Sequence, residues 1–145
     1  MKKTFAIIAA AVMCAAVLSG CSAGMKDGTY KAEYKSYDDH GWKDYVSITV
    51  SGGKITAVDY DSLNEAGEKK SADTAYREQM EPVSKTYPEK FSKELEDQLV
   101  DKQDVKKVDA VAGATTSSNA FKILATEALS AAKSGKTDTV TVERS

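Results

Sequence analysis

The stretch "DYVSITVSGGKITAVDYDSL", residues 44–63, restricts the fold of this chain more than any other part of it. Tyr45, Val46, Ile48 and Val50 precede Gly52-Gly53, and Ile55, Ala57, Val58 and Tyr60 follow. Two β-rich runs joined by a glycine pair predict an antiparallel hairpin with a tight turn. Upstream, "GTYKAEYKSY" alternates loosely, and near the C-terminus "TDTVTVE" reads as a short last strand.

Helical spacing fills the rest. In "SADTAYREQM", Ala72, Ala75, Tyr76 and Gln79 recur behind Ser71. In "PEKFSKELEDQLVDKQ", Pro88 suits a first turn and Phe91, Leu95 and Leu99 form one stripe. Phe121, Leu124, Ala125, Ala128, Leu129 and Ala132 define a third helix, which starts among Thr116, Ser117 and Ser118 and which Gly135 stops. The expected architecture is α+β, a small antiparallel sheet with helices packed on it.

The N-terminus indicates where this domain works. "MKKTFAIIAAAVMCAAVLSGC" has two lysines, an apolar run from Phe5 to Leu18 too short to span a bilayer, and small residues before Cys21. Leu18-Ser19-Gly20-Cys21 resembles the lipobox of bacterial lipoproteins, which implies cleavage before Cys21 and its acylation. The expected layout is a signal peptide over 1–20, lipidated Cys21 with a short tether over 21–27, and one domain over 28–145. "SAGMK" spans about 20 Å at full stretch, so the domain is expected close to its membrane. Cys14 leaves with the leader and Cys21 goes to lipid, so the domain keeps no thiol and any redox chemistry requires a bound cofactor. Losing Lys2 and Lys3 from 20 basic residues leaves 18 against 22 acidic ones, a net charge of −4 that argues against nucleic acid as a partner.

The segment "DAVAGATTSSNAF", Asp109 to Phe121, carries no charge after Asp109 and holds four adjacent hydroxyls, on Thr115, Thr116, Ser117 and Ser118. Two readings are open. A hydroxyl caps the helix that follows, or the glycine turn and the helix N-terminus form an anion site. "DAVAGATTSS" resembles the flavinylation motif of FMN-binding domains, D-x-x-S/T-G-A-T-x-S/T. Such domains occur in FMN-carrying subunits of sodium-pumping NADH:quinone reductase and Rnf complexes and in small membrane-anchored lipoproteins. Asp109 matches the motif's Asp, Gly113, Ala114 and Thr115 match G-A-T, and Ser117 matches the acceptor, whereas Ala112 stands where Ser or Thr is usual. "KDGTYKAEY", "HGWKDYVSITVSGGKITAVDYDSLN" and "KKSADTAYREQM" resemble the major membrane immunogen branch of the same group.

The resemblance implies FMN held by a phosphoester on Ser117 and attached by a separate flavin transferase that uses FAD and a divalent metal. It further implies an electron carrier that works with a membrane redox partner. In that scheme Gly113 lets the backbone approach the phosphate, Thr115 and Thr116 donate hydrogen bonds, and Asp109 either binds the transferase's metal or fixes the turn. Trp42, Tyr60 and Tyr76 are candidates to stack on the flavin, or belong to the core. His40 has no companion histidine, which argues against a histidine metal site. The alternative function is a lipoprotein that binds a solute or host ligand without flavin.

Overall fold

The computed structural model describes residues 24–145. The leader and the lipidation site at Cys21 therefore lie outside the described residues. Strands β1 (Gly28–Tyr34), β2 (Lys43–Ser51), β3 (Lys54–Leu63) and β4 (Val140–Val142) form one sheet in the order β3-β2-β1-β4. Helices α1 (Thr74–Ser84), α2 (Pro88–Lys102) and α3 (Thr115–Ser134) complete an α+β fold. Among the described residues no helix is long and apolar enough to cross a membrane.

Gly52 and Gly53 have φ of 61° and 75°. Two successive positive φ values are the backbone of a type I′ turn, whose twist matches that of the strands it joins. One detail of the hairpin was hidden in the sequence. Ile55 and Tyr60 are an odd number of residues apart, so a regular strand would point them to opposite faces. Both are buried, because the register shifts between Thr49 and Val50: Thr49 pairs with Ala57, and Val50 with Ile55. The extra residue restores Ile55 to the covered face.

The last strand departs from the antiparallel expectation. Val140 and Val142 pair parallel to Ala32 and Tyr34 of β1. The cause is where α3 ends. The Ala132 carbonyl accepts a hydrogen bond from the Lys26 N–H at 2.9 Å, beside the start of β1. The chain turns at Gly135 (φ 73°) and enters β4 from that same end.

The core lies between the sheet and α2 and α3. Tyr30, Ala32, Val46, Ile48, Val50 and Tyr60 meet Phe91, Leu95 and Leu99 of α2 and Phe121, Leu124, Ala125 and Ala128 of α3. The outer edge of β3 is closed by side chains of α2 and its C-cap. The Gln103 amide exchanges two 2.8 Å hydrogen bonds with the backbone of Ile55, and Glu96 accepts from the Tyr60 N–H at 2.8 Å. An exposed row of strand donors is thereby covered. Helix α1 has no buried residue and is capped at its start by the Asp73 carboxylate, which accepts from the Tyr76 N–H at 3.0 Å. Ser71 lies before it in a 3₁₀ turn over Lys70–Ala72.

Candidate functional site

The four hydroxyls occupy the first four positions of α3, and none of them caps it. The residue flanking the helix is Ala114, with φ −134° and ψ 42°, and no side chain caps the N–H groups of the first turn. The N–H groups of that turn have no side-chain cap and lie at the positive end of the helix dipole.

Ser118 works in the opposite direction. Completely buried, its hydroxyl accepts from the Val111 N–H at 2.9 Å and donates to the Ala114 carbonyl at 2.7 Å. It laces the loop onto the helix from inside, which removes Ser118 as an acceptor for any external group. Ser118→Ala leaves the Val111 N–H buried and unpaired, which is expected to destabilise the fold by about 1–3 kcal/mol. A thermal melt within error of the wild type would contradict this role.

Gly113 has φ 82°, and a Cβ at this position would lie 2.2 Å from the carbonyl oxygen of Ser84 at the end of α1. The packing of α1 against this turn therefore itself requires the missing side chain. Ala114 is buried, and its carbonyl accepts from both the backbone and the hydroxyl of Ser118. Thr115 and Thr116 are exposed, and Ser117 is half-buried.

Tyr60 corrects the expectation that it offers a stacking face. It is 2 % exposed and lies edge-on to Phe121 with centroids 5.2 Å apart. Its hydroxyl donates to the Ser117 carbonyl at 3.0 Å, so it positions the serine from within the core. Burial pushes its ionisation well up, which keeps it a donor. Asp109 has its backbone clamped by Gln98, whose amide accepts from the Asp109 N–H at 2.8 Å and donates to its carbonyl at 3.1 Å. Its own carboxylate points outward to Lys102 Nζ, 3.2 Å away. Gln98 therefore fixes this turn, and the Asp109 carboxylate is presented to solvent. Among the described residues no cluster of three His, Cys, Asp or Glu is arranged to hold a metal.

Thr116, Ser117, Asn119, Ala120 and Ile123 form one wall of a cleft of about 720 Å³. Tyr34 and Asp44 of the sheet, Asp38, Asp39 and His40 of the β1–β2 loop, Lys70, Tyr76 and Arg144 form the others. Trp42 does not line it. At 7 % exposed, Trp42 stands edge-on to Tyr76, centroids 6.3 Å apart, and lines a neighbouring groove with Met80 and Val83. Tyr76, rather than Trp42 or Tyr60, is the aromatic side chain that reaches both the cleft and that groove.

The charges of this cleft are held in different ways. Asp44 is buried, which raises its pKa, while the Ser62 hydroxyl it accepts from and the charges of Arg144 and Lys70 work against that rise. The Arg144 guanidinium sits 4.1 Å from the Tyr34 ring centroid and donates to the carbonyls of Ser36 and Trp42, each at 3.2 Å. Lys70 Nζ lies 4.3 Å from the Tyr76 ring centroid and 5.5 Å from that of Trp42. No local pattern in the sequence marks Lys70, Asp44 or Arg144 as cleft residues, because strand pairing and the last strand bring them together from far apart in the chain.

Residues 41–130 match the FMN-binding domain family. The chain is 40 % identical over 130 residues to the 15 kDa lipoprotein of Treponema pallidum (strain Nichols), covering 88 % of this chain and 92 % of that protein. A crystal structure of a Clostridium perfringens protein superimposes with a TM-score of 0.80 at 42 % identity, over 83 % of this chain and 99 % of that one. A solution structure from Clostridium thermocellum does so with a TM-score of 0.51 at 30 % identity, over 75 % and 93 %. The matched segment contains the Asp109–Ala114 loop, the first turn of α3, Lys70 and Tyr76, and on this match the chain belongs to the FMN-binding domain family.

Proposed function

We propose that the chain is an extracytoplasmic, lipid-anchored flavoprotein that carries FMN on Ser117 through a phosphoester and relays electrons between membrane redox partners. The observation that carries this reading is the placement of Ser117. Its half-buried side chain stands at the uncapped start of α3, on the wall of a cleft of about 720 Å³. A volume of that size suits a small ligand. The uncapped N–H groups of the first turn favour a phosphodiester there, and Tyr76, Ile123 and Tyr34 add apolar surface to the lining. The residues present therefore fit the cofactor.

Bound FMN supplies reversible electron transfer, which no side chain of a domain without cysteine offers. The protein's own part is to hold and orient. Tyr60 and Ser118 fix the turn that bears Ser117, and the cleft excludes solvent from one side of whatever Ser117 carries. Attachment would be the work of a separate transferase, with Ser117 as the acceptor: its hydroxyl would give up its proton and bond to the FMN-side phosphorus of FAD as the pyrophosphate bond breaks and AMP leaves. The exposed carboxylate of Asp109 supports a role in contact with such an enzyme. A covalent link also suits a compartment where a dissociated cofactor would be lost by dilution.

The anchor is supported by Leu18-Ser19-Gly20-Cys21 and by the relative named as a lipoprotein. Intact-mass measurement of membrane-extracted protein, expressed with a flavin transferase, tests both parts. The expected mass includes acyl chains on Cys21 and one FMN less one water, and Cys21→Ser is expected either to release the protein from the membrane or to leave an unprocessed precursor. A colourless protein of unmodified mass would favour the lipoprotein that binds a solute without flavin.

A further inference from the structure

Two cations line the cleft, and the structure treats them differently. Arg144 spends its donors on two backbone carbonyls. Lys70 lies over two ring faces, and among the described residues no carboxylate forms an ion pair with it within 4 Å, though its charge reaches that of Asp44. Its position is nonetheless built. Asp61, 5 % exposed, accepts from both the backbone N–H and the hydroxyl of Ser71, which fixes the 3₁₀ turn that carries Lys70. Tyr76 and Trp42 then hold the ammonium against the cleft, a cation–π arrangement that limits its hydration on that side. The acidic groups nearby are engaged elsewhere. Asp38 accepts from the N–H groups of His40 and Trp42, each at 2.9 Å, and buried Asp44 accepts from Ser62. Asp39 is exposed.

We propose that Lys70 is the cofactor-facing cation of this cleft, and that its charge favours the reduced, more electron-rich flavin over the oxidised one. The inference rests on the reading of Ser117 as the FMN carrier. Reduction adds electron density to the flavin, and a fixed positive charge in a partly desolvated cleft stabilises the form that gains it. If Lys70 served packing alone, its aliphatic stem against Tyr76 and Trp42 would be the part that matters.

The two cases separate in the flavin-loaded protein. Spectroelectrochemical titration of Lys70→Met and Lys70→Gln is expected to show the reduced form disfavoured by about tenfold, which lowers a two-electron midpoint potential by about 30 mV. Flavin content is expected to stay at the wild-type level, and Lys70→Arg to stay near the wild-type potential. Fully loaded neutral variants at the wild-type potential overturn the proposal, as does an arginine variant that shifts as far as the neutral ones. A wild-type protein that takes up no flavin overturns the reading of Ser117, and this proposal with it.

Discussion

Ser117→Ala is expected to remove covalent flavin entirely while leaving the fold almost untouched. Within the described residues the Ser117 hydroxyl makes no hydrogen bond, and α3 starts without a side-chain cap. Losing that hydroxyl therefore changes stability by less than about 0.5 kcal/mol, as for a substitution away from any structural contact. A serine used as a cap would instead cost about 0.5–2 kcal/mol on removal. Ser117→Thr keeps a hydroxyl at the same helical position and is expected to retain flavin. Thr116→Ala, one residue back on the same cleft wall, is expected to retain it too. Denatured protein on a gel, viewed for flavin fluorescence, decides the matter. A fluorescent band in Ser117→Ala, or a band lost in Thr116→Ala, places the acceptor elsewhere.

Gly113→Ala is expected to be the most damaging single methyl group in the domain. Two costs coincide at this position. The backbone φ of 82° is one that L-residues adopt at about 1–2 kcal/mol. The added Cβ meets the Ser84 carbonyl at 2.2 Å, and forced contacts of this kind cost about 1–3 kcal/mol. The combined loss of roughly 2–5 kcal/mol corresponds to a melting temperature lower by roughly 10–20 °C. Flavin loading is expected to fall with it, because the displaced loop bears Ser117. Gly67→Ala is the control: φ is 79°, nothing lies within 4 Å, and only the backbone cost of about 1–2 kcal/mol applies. Equal melting temperatures for the two variants would show that the contact with α1 does not govern this turn.

These expectations separate two kinds of information. The sequence alone carried the elements. A glycine pair between β-rich runs, a proline before a hydrophobic stripe, and a glycine after an apolar helical face each act within a few residues of backbone, and each is where the chain places it. The same locality made the segment Asp109–Ser118 recognisable, since the turn and the helix start are neighbours in the chain.

Tertiary structure decided what each residue of that segment does. Ser118 became a buried lace because Val111 folds back over α3. Tyr60 became a support for Ser117 because a register shift returns β3 to the covered face. The glycine of the motif answers to α1, nearly thirty residues upstream. The cleft itself draws Lys70, Tyr76 and Arg144 from separate elements, the last beside a strand that is parallel only because α3 ends next to the start of β1. Backbone geometry propagates along the chain and leaves a pattern in the sequence. Side chains that meet across a sheet share no such pattern, so only the packed fold shows which of them face the same space.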